Sequence, residues 1–136
     1  MKLAIKEAKK ADNDVFPNPK VGCLIVKDGK VVSKGFHKRF GGRHAEQVAI
    51  DSLPQNITKA TMYVTLEPCS MCCGLLIHSR IENLIFAALD PKSGAVMSNA
   101  NLLDAEFINH KVNYSQGPLE KQSSELLKSF FRARRL

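Results

Sequence analysis

The sequence contains no apolar run that approaches the roughly 18 residues of a membrane span. Its first ten residues, MKLAIKEAKK, lack the apolar centre and the small-residue cleavage site of a signal peptide. No linker, internal repeat or low-complexity tract divides the chain, so we predict a single domain over residues 1–136. The 4 cysteines fit reducing conditions better than a disulfide framework, because two of them form a Cys-x-x-Cys pair. We therefore expect a cytoplasmic protein.

Acidic residues are scarce, since 13 Asp and Glu stand against 20 Lys and Arg, which gives a formal net charge of +7. A charge of this size indicates an anionic partner, with nucleic acid as the first candidate. The last turns of the C-terminal segment are especially basic, with Lys128, Arg132, Arg134 and Arg135 within eight residues. Cations at a helix C-terminus also complement the helix dipole. That effect accounts for one or two of these side chains, so the remainder favour RNA binding.

Hydrophobic periodicity predicts strands that alternate with helices. Asp28-Gly29 between two β-branched runs indicates a hairpin. The predicted elements are a helix over 2–12, strands over 21–27 and 30–36, a helix over 44–52, a strand over 61–66, a helix over 69–79, and strands over 83–89 and 111–114. A last helix is predicted to begin at Gly117-Pro118. Its apolar face is formed by Leu119, Leu126, Leu127, Phe130 and Phe131. This order indicates an α/β layer structure with a mixed sheet.

Two short motifs predict a metal site. His44-Ala45-Glu46 and Pro68-Cys69-Ser70-Met71-Cys72 together supply one imidazole and two thiols, which are preferred ligands of Zn²⁺. A structural zinc site closes with a fourth protein ligand, whereas a catalytic site leaves that position for water. Glu46 is placed to move the protons of that water, and His-x-Glu followed by Pro-Cys-x-x-Cys is the signature of zinc nucleobase deaminases. We therefore predict His44, Cys69 and Cys72 as zinc ligands and Glu46 as the catalytic residue.

Two other interpretations of the motifs remain. A structural zinc site could take its fourth ligand from His37, His78 or His110, but Glu46 and Pro68 would then have no role. A redox Cys-x-x-Cys pair would leave the His-Ala-Glu segment without a role. Of the other thiols, Cys23 lies in an apolar run and Cys73 directly follows a predicted ligand, so a packed side chain explains each of them.

The motifs identify the chain as resembling the cytidine deaminase superfamily. From about residue 60 onward it resembles the bacterial tRNA-specific adenosine deaminases, in the segments 62–72, 77–81, 92–95 and 109–112 and in the terminal Phe130-Phe131-Arg132-Ala133-Arg134-Arg135. The first half, in 17–23 and in Gly35-Phe36-His37, is similar to the pyrimidine deaminase domain of riboflavin biosynthesis. The tRNA family usually has asparagine at the position of His37 and a longer loop before its zinc histidine. The riboflavin family usually has a longer insert between its cysteines and an added reductase domain.

This resemblance implies a three-layer α/β/α fold around a mixed sheet of about five strands. It also implies a zinc-dependent deaminase that converts adenosine to inosine at the tRNA wobble position, with water attack at C6 and Glu46 as proton shuttle. A homodimer follows from the resemblance, with 74–78 at its interface. The first alternative is a stand-alone deaminase acting on a pyrimidine nucleotide of riboflavin biosynthesis or on a free base. The second is a catalytically silent RNA-binding module that has kept its zinc.

The resemblance and the chemistry of the side chains also suggest contacts with the substrate. Asn18, His37 and Asp90 are the predicted contacts with the base or sugar. The predicted contacts with the tRNA anticodon stem-loop are Lys92, Ser93, Lys128, Arg132, Arg134 and Arg135. Phosphate contacts by Lys and Arg supply most of the affinity in such complexes.

Overall fold

The structure is a computed structural model that describes residues 1–53 and 58–134, with the side chain of Arg134 left out. In chain order the elements are α1 (Lys2–Ala8), a 3-10 helix (Asn13–Val15), β1 (Gly22–Lys27), β2 (Lys30–Phe36), α2 (Ala45–Asp51), β3 (Thr61–Leu66), α3 (Ser70–His78), β4 (Asn83–Ala88), a second 3-10 helix (Leu102–Asp104), β5 (Asn113–Gln116) and α4 (Glu120–Arg134). Among these described helices, none has the length and apolar character needed to cross a membrane.

The five strands form one mixed sheet in the order β2-β1-β3-β4-β5. β1 pairs antiparallel with both β2 and β3, whereas β3, β4 and β5 run parallel to one another. The parallel pairs require crossovers, and α3 supplies the connection between β3 and β4. The predicted α/β fold with a mixed sheet of five strands is confirmed.

Helices cover both faces of the sheet. On one face, α2 and α3 pack on alternate residues of the strands, such as Ile25, Met62 and Phe86, and this contact forms the main core. The opposite face carries α1 and α4: a Cβ at Gly22 would collide with the backbone of α1, and the Ser123 hydroxyl of α4 donates to the Thr65 carbonyl of β3 at 2.7 Å. Because β3 ends where α3 begins, the three-layer arrangement places the helix starts at one edge of the sheet.

Three elements differ from the predictions by more than one residue at a boundary. The helix predicted over 2–12 ends at Ala8, and residues 9–11 form turns in which Ala11 stays buried. The last strand is shifted to Asn113–Gln116. The last helix begins at Glu120, because Leu119 adopts φ +68°, a left-handed conformation that a helix cannot include. Gly117, Pro118 and Leu119 therefore lie outside the helix, and Leu119 does not belong to its apolar face.

Gly35 is the closest point between β2 and α2. A Cβ at this position would lie 2.4 Å from the Ala45 carbonyl oxygen and 2.7 Å from the Ala49 amide nitrogen. We expect Gly35→Ala to force α2 away from the sheet and to lower the free energy of unfolding by about 1–3 kcal/mol. Urea denaturation of the two proteins measures this change.

The control for this substitution is Lys34→Ala on the same strand, where the side chain is exposed. We expect a change within about 0.5 kcal/mol for that variant. Equal stability of Gly35→Ala and the parent protein would contradict the close packing of α2.

Candidate active site

The three predicted metal ligands meet where two helices begin. His44 immediately precedes α2, and its backbone N–H donates to Oε1 of Gln47 at 2.8 Å, which holds the start of the helix. Cys69 immediately precedes α3, and Cys72 lies in the first turn of that helix. The ligand atoms of His44, Cys69 and Cys72 all lie within 4.8 Å of one another, and among residues 1–53 and 58–134 they are the group of three that suits a metal ion.

The distances between these atoms fit zinc. His44 Nδ1 lies 3.7 Å from Cys69 Sγ and 3.5 Å from Cys72 Sγ. Zinc–nitrogen and zinc–sulfur bonds of roughly 2.0 and 2.3 Å at a tetrahedral angle would place nitrogen and sulfur about 3.5 Å apart. The donor set of one imidazole and two thiols is also typical of zinc. The residues present therefore fit the predicted ion.

The contact between the two thiols shifts their pKa values in opposite directions. A hydrogen bond from Cys72 lowers the pKa of Cys69 to about 4, against the effect of burial and with help from His44. The same contact and burial raise the pKa of Cys72. Zinc binds thiolates, so binding releases the proton of Cys72, and the affinity for the ion falls at low pH.

Glu46 lies beside the ligands, in the first turn of α2. It is 4 % exposed, and burial raises its carboxyl pKa above the ordinary value, although the nearby His44 opposes the shift. A raised pKa lets a carboxyl group hold a proton nearer to neutral pH, as a group that both accepts and returns protons requires. The position of Glu46 therefore suits acid–base chemistry at the ligand cluster.

A cavity of about 140 Å³ opens onto this cluster. His44, Glu46 and Cys69 line this cavity. Four residues predicted to contact substrate or RNA line it as well, although these four come from three distant segments of the chain: Asn18, His37, Asp90 and Ser93. Pro19, Val21, Leu66 and Glu67, which the sequence did not single out, also contribute to its wall. We call this cavity the catalytic pocket.

His37 is 3 % exposed, and both of its ring nitrogens have partners. The carbonyl oxygen of Arg43 can only accept, so Nδ1 donates to it, at 2.8 Å. In the neutral ring Nε2 is then an acceptor, and Nδ2 of Asn18 donates to it at 3.1 Å. His37 thus orients the amide of Asn18, a residue that lines the pocket.

Glu67 is a site residue that sequence reasoning missed. Its carboxylate is 2 % exposed and accepts backbone hydrogen bonds from Asp90, Val96, Met97 and Ser98, at 2.8–3.1 Å, and a further one from the Ser98 hydroxyl. Burial alone would raise its pKa, but these hydrogen bonds outweigh burial and lower it. A Cβ at Gly94 would lie 2.3 Å from the carboxyl carbon, so the loop 90–98 closes tightly over Glu67. The signal available in the sequence was its place directly before Pro68, in the zinc motif.

Three other predicted RNA contacts, Lys92, Lys128 and Arg132, do not line the pocket. Lys92 is exposed in the 90–98 loop, and Lys128 and Arg132 line a separate depression on α4. Arg132 also forms an ion pair with Glu125 at 3.5 Å. Arg135 and the side chain of Arg134 lie outside the part of the chain that the structure describes.

The histidines proposed as a fourth protein ligand do not join His44, Cys69 and Cys72 in the part of the chain that the structure describes. His110 Nε2 contacts the Ile81 carbonyl oxygen at 2.7 Å, and His37 uses both nitrogens as described. His78 ends α3 and lines a different cavity. A site of three protein ligands with an open fourth position is the arrangement typical of catalytic zinc.

Comparison with known proteins gives the same assignment. The family model of the cytidine and deoxycytidylate deaminase zinc-binding region matches residues 1–88. The chain is 42% identical to the tRNA-specific adenosine deaminase of Aquifex aeolicus, over 97% of this chain and 91% of that protein. It is 36% identical to the diaminohydroxyphosphoribosylamino-pyrimidine deaminase of Buchnera aphidicola, over 99% and 93% of the two chains. Both resemblances seen in the sequence are confirmed.

Solved structures show the same two groups. A diaminohydroxyphosphoribosylaminopyrimidine deaminase/5-amino-6-(5-phosphoribosylamino)uracil reductase from Thermotoga maritima superimposes with a TM-score of 0.82 at 38% identity, over 96% of this chain and 39% of that one. A structure from a study of tRNA:A34 deaminases superimposes with a TM-score of 0.77 at 30% identity, over 93% and 97% of the two chains. The predicted deaminase fold is confirmed.

Replacing Glu67 by glutamine tests its hold on the 90–98 loop. We expect Glu67→Gln to lower the free energy of unfolding by about 2–4 kcal/mol. In Glu67 both carboxylate oxygens accept from N–H or O–H donors, whereas in glutamine one of these oxygens is replaced by an NH₂ group, which cannot accept. Hydrogen exchange at the Val96, Met97 and Ser98 amides should accelerate at least about tenfold. Chemical denaturation and amide exchange measure the two effects.

The matched control is Glu106→Gln, at an exposed position, where the same loss of charge should leave stability within about 0.5 kcal/mol. Unchanged exchange at the three loop amides in Glu67→Gln would show that the carboxylate does not hold the loop.

Proposed function

We propose that this chain, which belongs to the cytidine and deoxycytidylate deaminase family, converts adenosine to inosine at the wobble position of a tRNA. The chain is a hydrolytic deaminase that uses zinc, and tRNA is the substrate that its relatives imply. The observation that carries the proposal is the 42% identity to a tRNA-specific adenosine deaminase over nearly the whole of both chains. That similarity extends well beyond residues 1–88, which the general family model covers.

Zinc held by His44, Cys69 and Cys72 would act as a Lewis acid that lowers the pKa of a bound water. Glu46 takes a proton from the attacking water and passes it to the ring nitrogen next to C6. The oxygen of that water bonds to C6, and Glu46 carries its second proton to the amino group. The C6–N bond then breaks, ammonia leaves, and C6 becomes a carbonyl. The products are inosine and ammonia. The burial of Glu46 suits this role, because its raised pKa allows the carboxyl group to hold each proton between transfers.

Asn18 and Asp90 contact the substrate in this proposal, since both line the pocket with Glu46. His37 acts through Asn18 rather than directly, because its ring is buried and both nitrogens are engaged. The amide oxygen of Asn18 accepts a hydrogen bond from the sugar or base. An anticodon loop suits such a pocket, because its single-stranded base can enter without the opening of a duplex.

The anticodon stem-loop would also contact Ser93 on the pocket wall, together with Lys92, Lys128, Arg132, Arg134 and Arg135. Exposed basic side chains on α4 support this surface, as does the net charge of +7. α4 also packs against the segment that carries Asn18: Phe16 contacts Phe130 and Phe131 with ring centroids 6.3 and 6.4 Å apart. Contacts on α4 would therefore lie on an element that is packed against the pocket wall.

We further propose that residues 1–136 act as one deaminase domain and that two copies form a homodimer in the cytoplasm, where tRNA is found. The 74–78 segment of α3 is the proposed interface. Gly74, Ile77 and His78 line a cavity together with the 82 % exposed ring of Phe107, so an apolar side chain is available there for a second copy.

A second candidate is a small-molecule deaminase that acts on a pyrimidine nucleotide of riboflavin biosynthesis. The similarity to the Buchnera aphidicola deaminase, which also spans nearly the whole of both chains, favours it. His37 favours it as well, since the tRNA family usually has asparagine at that position. The two candidates share the zinc chemistry and differ in the substrate.

Incubation of the purified zinc protein with tRNA bearing A34 should produce inosine at that position, detected by nucleoside analysis of the digested RNA. Glu46→Gln should lower the rate by at least roughly 10²–10⁴-fold, because the proton shuttle is lost, with the zinc content unchanged. Glu106→Gln is the control for the loss of one exposed charge. Absence of inosine on every A34 tRNA, together with turnover of a pyrimidine nucleotide, would establish the second candidate instead.

The basic surface of α4 has its own test. Lys128→Gln combined with Arg132→Gln should weaken binding of an anticodon stem-loop and reduce the slope of log K against log salt by about 1–2, since up to two phosphate contacts are lost. Fluorescence anisotropy over a series of salt concentrations measures both quantities.

Lys30→Gln combined with Lys59→Gln removes the same charge at the opposite end of the sheet, and this control should leave the salt slope unchanged. An equal decrease in slope for both double variants would show that α4 makes no specific contact with RNA.

A further inference from the structure

A second cavity adjoins the catalytic pocket. We call it the loop groove; it has a volume of about 440 Å³ and is lined by Phe40, Gly41, Gly42, Arg43, Gln47 and Met71. Asn18 and His44 line it as well, and both also line the catalytic pocket. The two cavities are therefore neighbours, separated by a shared wall. A molecule that extends out of the pocket past Asn18 would enter the loop groove.

The loop groove presents two exposed apolar side chains. Phe40 is 60 % exposed and Met71 is 49 % exposed. The backbone of Phe40 is nevertheless held, because its N–H donates to the Asp14 carbonyl at 2.7 Å and the following turn closes with a hydrogen bond from Gly42 N–H to the Arg39 carbonyl at 3.0 Å. The ring is thus attached to a positioned backbone while most of its surface faces solvent. An exposed ring next to an active site is a ready surface for a ligand.

The loop that carries the ring is basic. Lys38 and Arg39 precede Phe40 and are exposed, and Arg43 follows it. Arg43 forms an ion pair with Asp51, which leaves Lys38 and Arg39 as the exposed cations before the ring. An aromatic face beside Lys and Arg side chains is the combination that binds a nucleotide in single-stranded nucleic acid, with the base stacked on the ring and the phosphate near the cations.

We propose that the loop groove binds the nucleotide adjacent to the target adenosine, with its base stacked on Phe40. The proposal rests on the proposed action on RNA and adds a subsite to it. The shared wall explains why a neighbouring nucleotide reaches this place: when the target base occupies the pocket, the backbone of the strand leaves past Asn18 and His44. A lone nucleoside in the pocket would not reach the ring.

A thermodynamic cycle tests the contact. Binding of an anticodon stem-loop is measured in the zinc-loaded Glu46→Gln background, with Phe40 intact, changed to Ala or changed to Trp. Each protein is titrated with the intact RNA and with RNAs that are abasic at the nucleotide on the 5′ or the 3′ side of the target. We expect Phe40→Ala to weaken binding of the intact RNA roughly 5- to 100-fold and Phe40→Trp to restore it. The effect of Phe40→Ala should vanish with one of the two abasic RNAs, which identifies the stacked neighbour.

Val32→Ala is the matched control, since Val32 is an exposed apolar residue on the edge strand β2. Equal losses for Phe40→Ala with intact and with both abasic RNAs would overturn the proposal, as would unchanged affinity. Zinc content and melting temperature of each variant exclude a general loss of structure.

Failure of the subsite is distinguishable from failure of the proposed function. If the protein does not act on RNA, the protein with both Glu46 and Phe40 intact forms no inosine in the stem-loop, and any affinity that remains in the Glu46→Gln background does not respond to the abasic positions. If only the subsite is wrong, the protein forms inosine and Phe40→Ala behaves as the Phe40-intact protein does. If the loop groove instead holds part of a small substrate, Phe40→Ala raises KM for a pyrimidine nucleotide while RNA binding is unchanged, and this result also overturns the proposal.

Discussion

The close approach of α2 to the sheet is the constraint on which the site depends. Gly35 allows the backbone of α2 to lie against β2, and small residues of the helix, Ala45 and Ala49, complete the contact. His44 is the residue before this helix, so the packing distance sets the position of its imidazole relative to the thiols at the start of α3. Glu46 is buried by the same contact. Packing of apolar and small residues thus positions a polar site.

The hydrogen bonds of Glu67 perform a similar task for a segment without regular structure. The 90–98 loop contributes Asp90 and Ser93 to the pocket but contains no helix or strand that would position it. A single buried carboxylate substitutes for secondary structure, because it accepts from several consecutive backbone N–H groups at once. The chemistry that the family shares and the choice of substrate therefore depend on different parts of the molecule. The helix starts hold the zinc ligands, whereas loops form much of the wall that a substrate would contact.

Sequence reasoning was most accurate where a pattern reports a local physical preference. β3 was predicted at the observed residues, because alternation of apolar side chains reflects the pleat of the strand. The start of the last helix was predicted wrongly, since proline suits a first turn but the left-handed backbone of Leu119 delays the helix to Glu120. The backbone conformation of Leu119 depends on how the chain turns from β5 back over the sheet. The helix and turn preferences of the neighbouring residues do not predict it.

The same distinction applies to the site. Residue types and spacing by themselves determined the chemistry, since one His, one Glu and two Cys at these intervals suit zinc and proton transfer whatever surrounds them. Only the tertiary structure decided the role of Glu67, the partners of His37 and the proximity of the Phe40 loop to the pocket. These contacts join segments that lie six to about thirty residues apart. Hydrogen bonds and burial of that kind arise from packing of the whole chain, and they leave no periodic signal in the sequence.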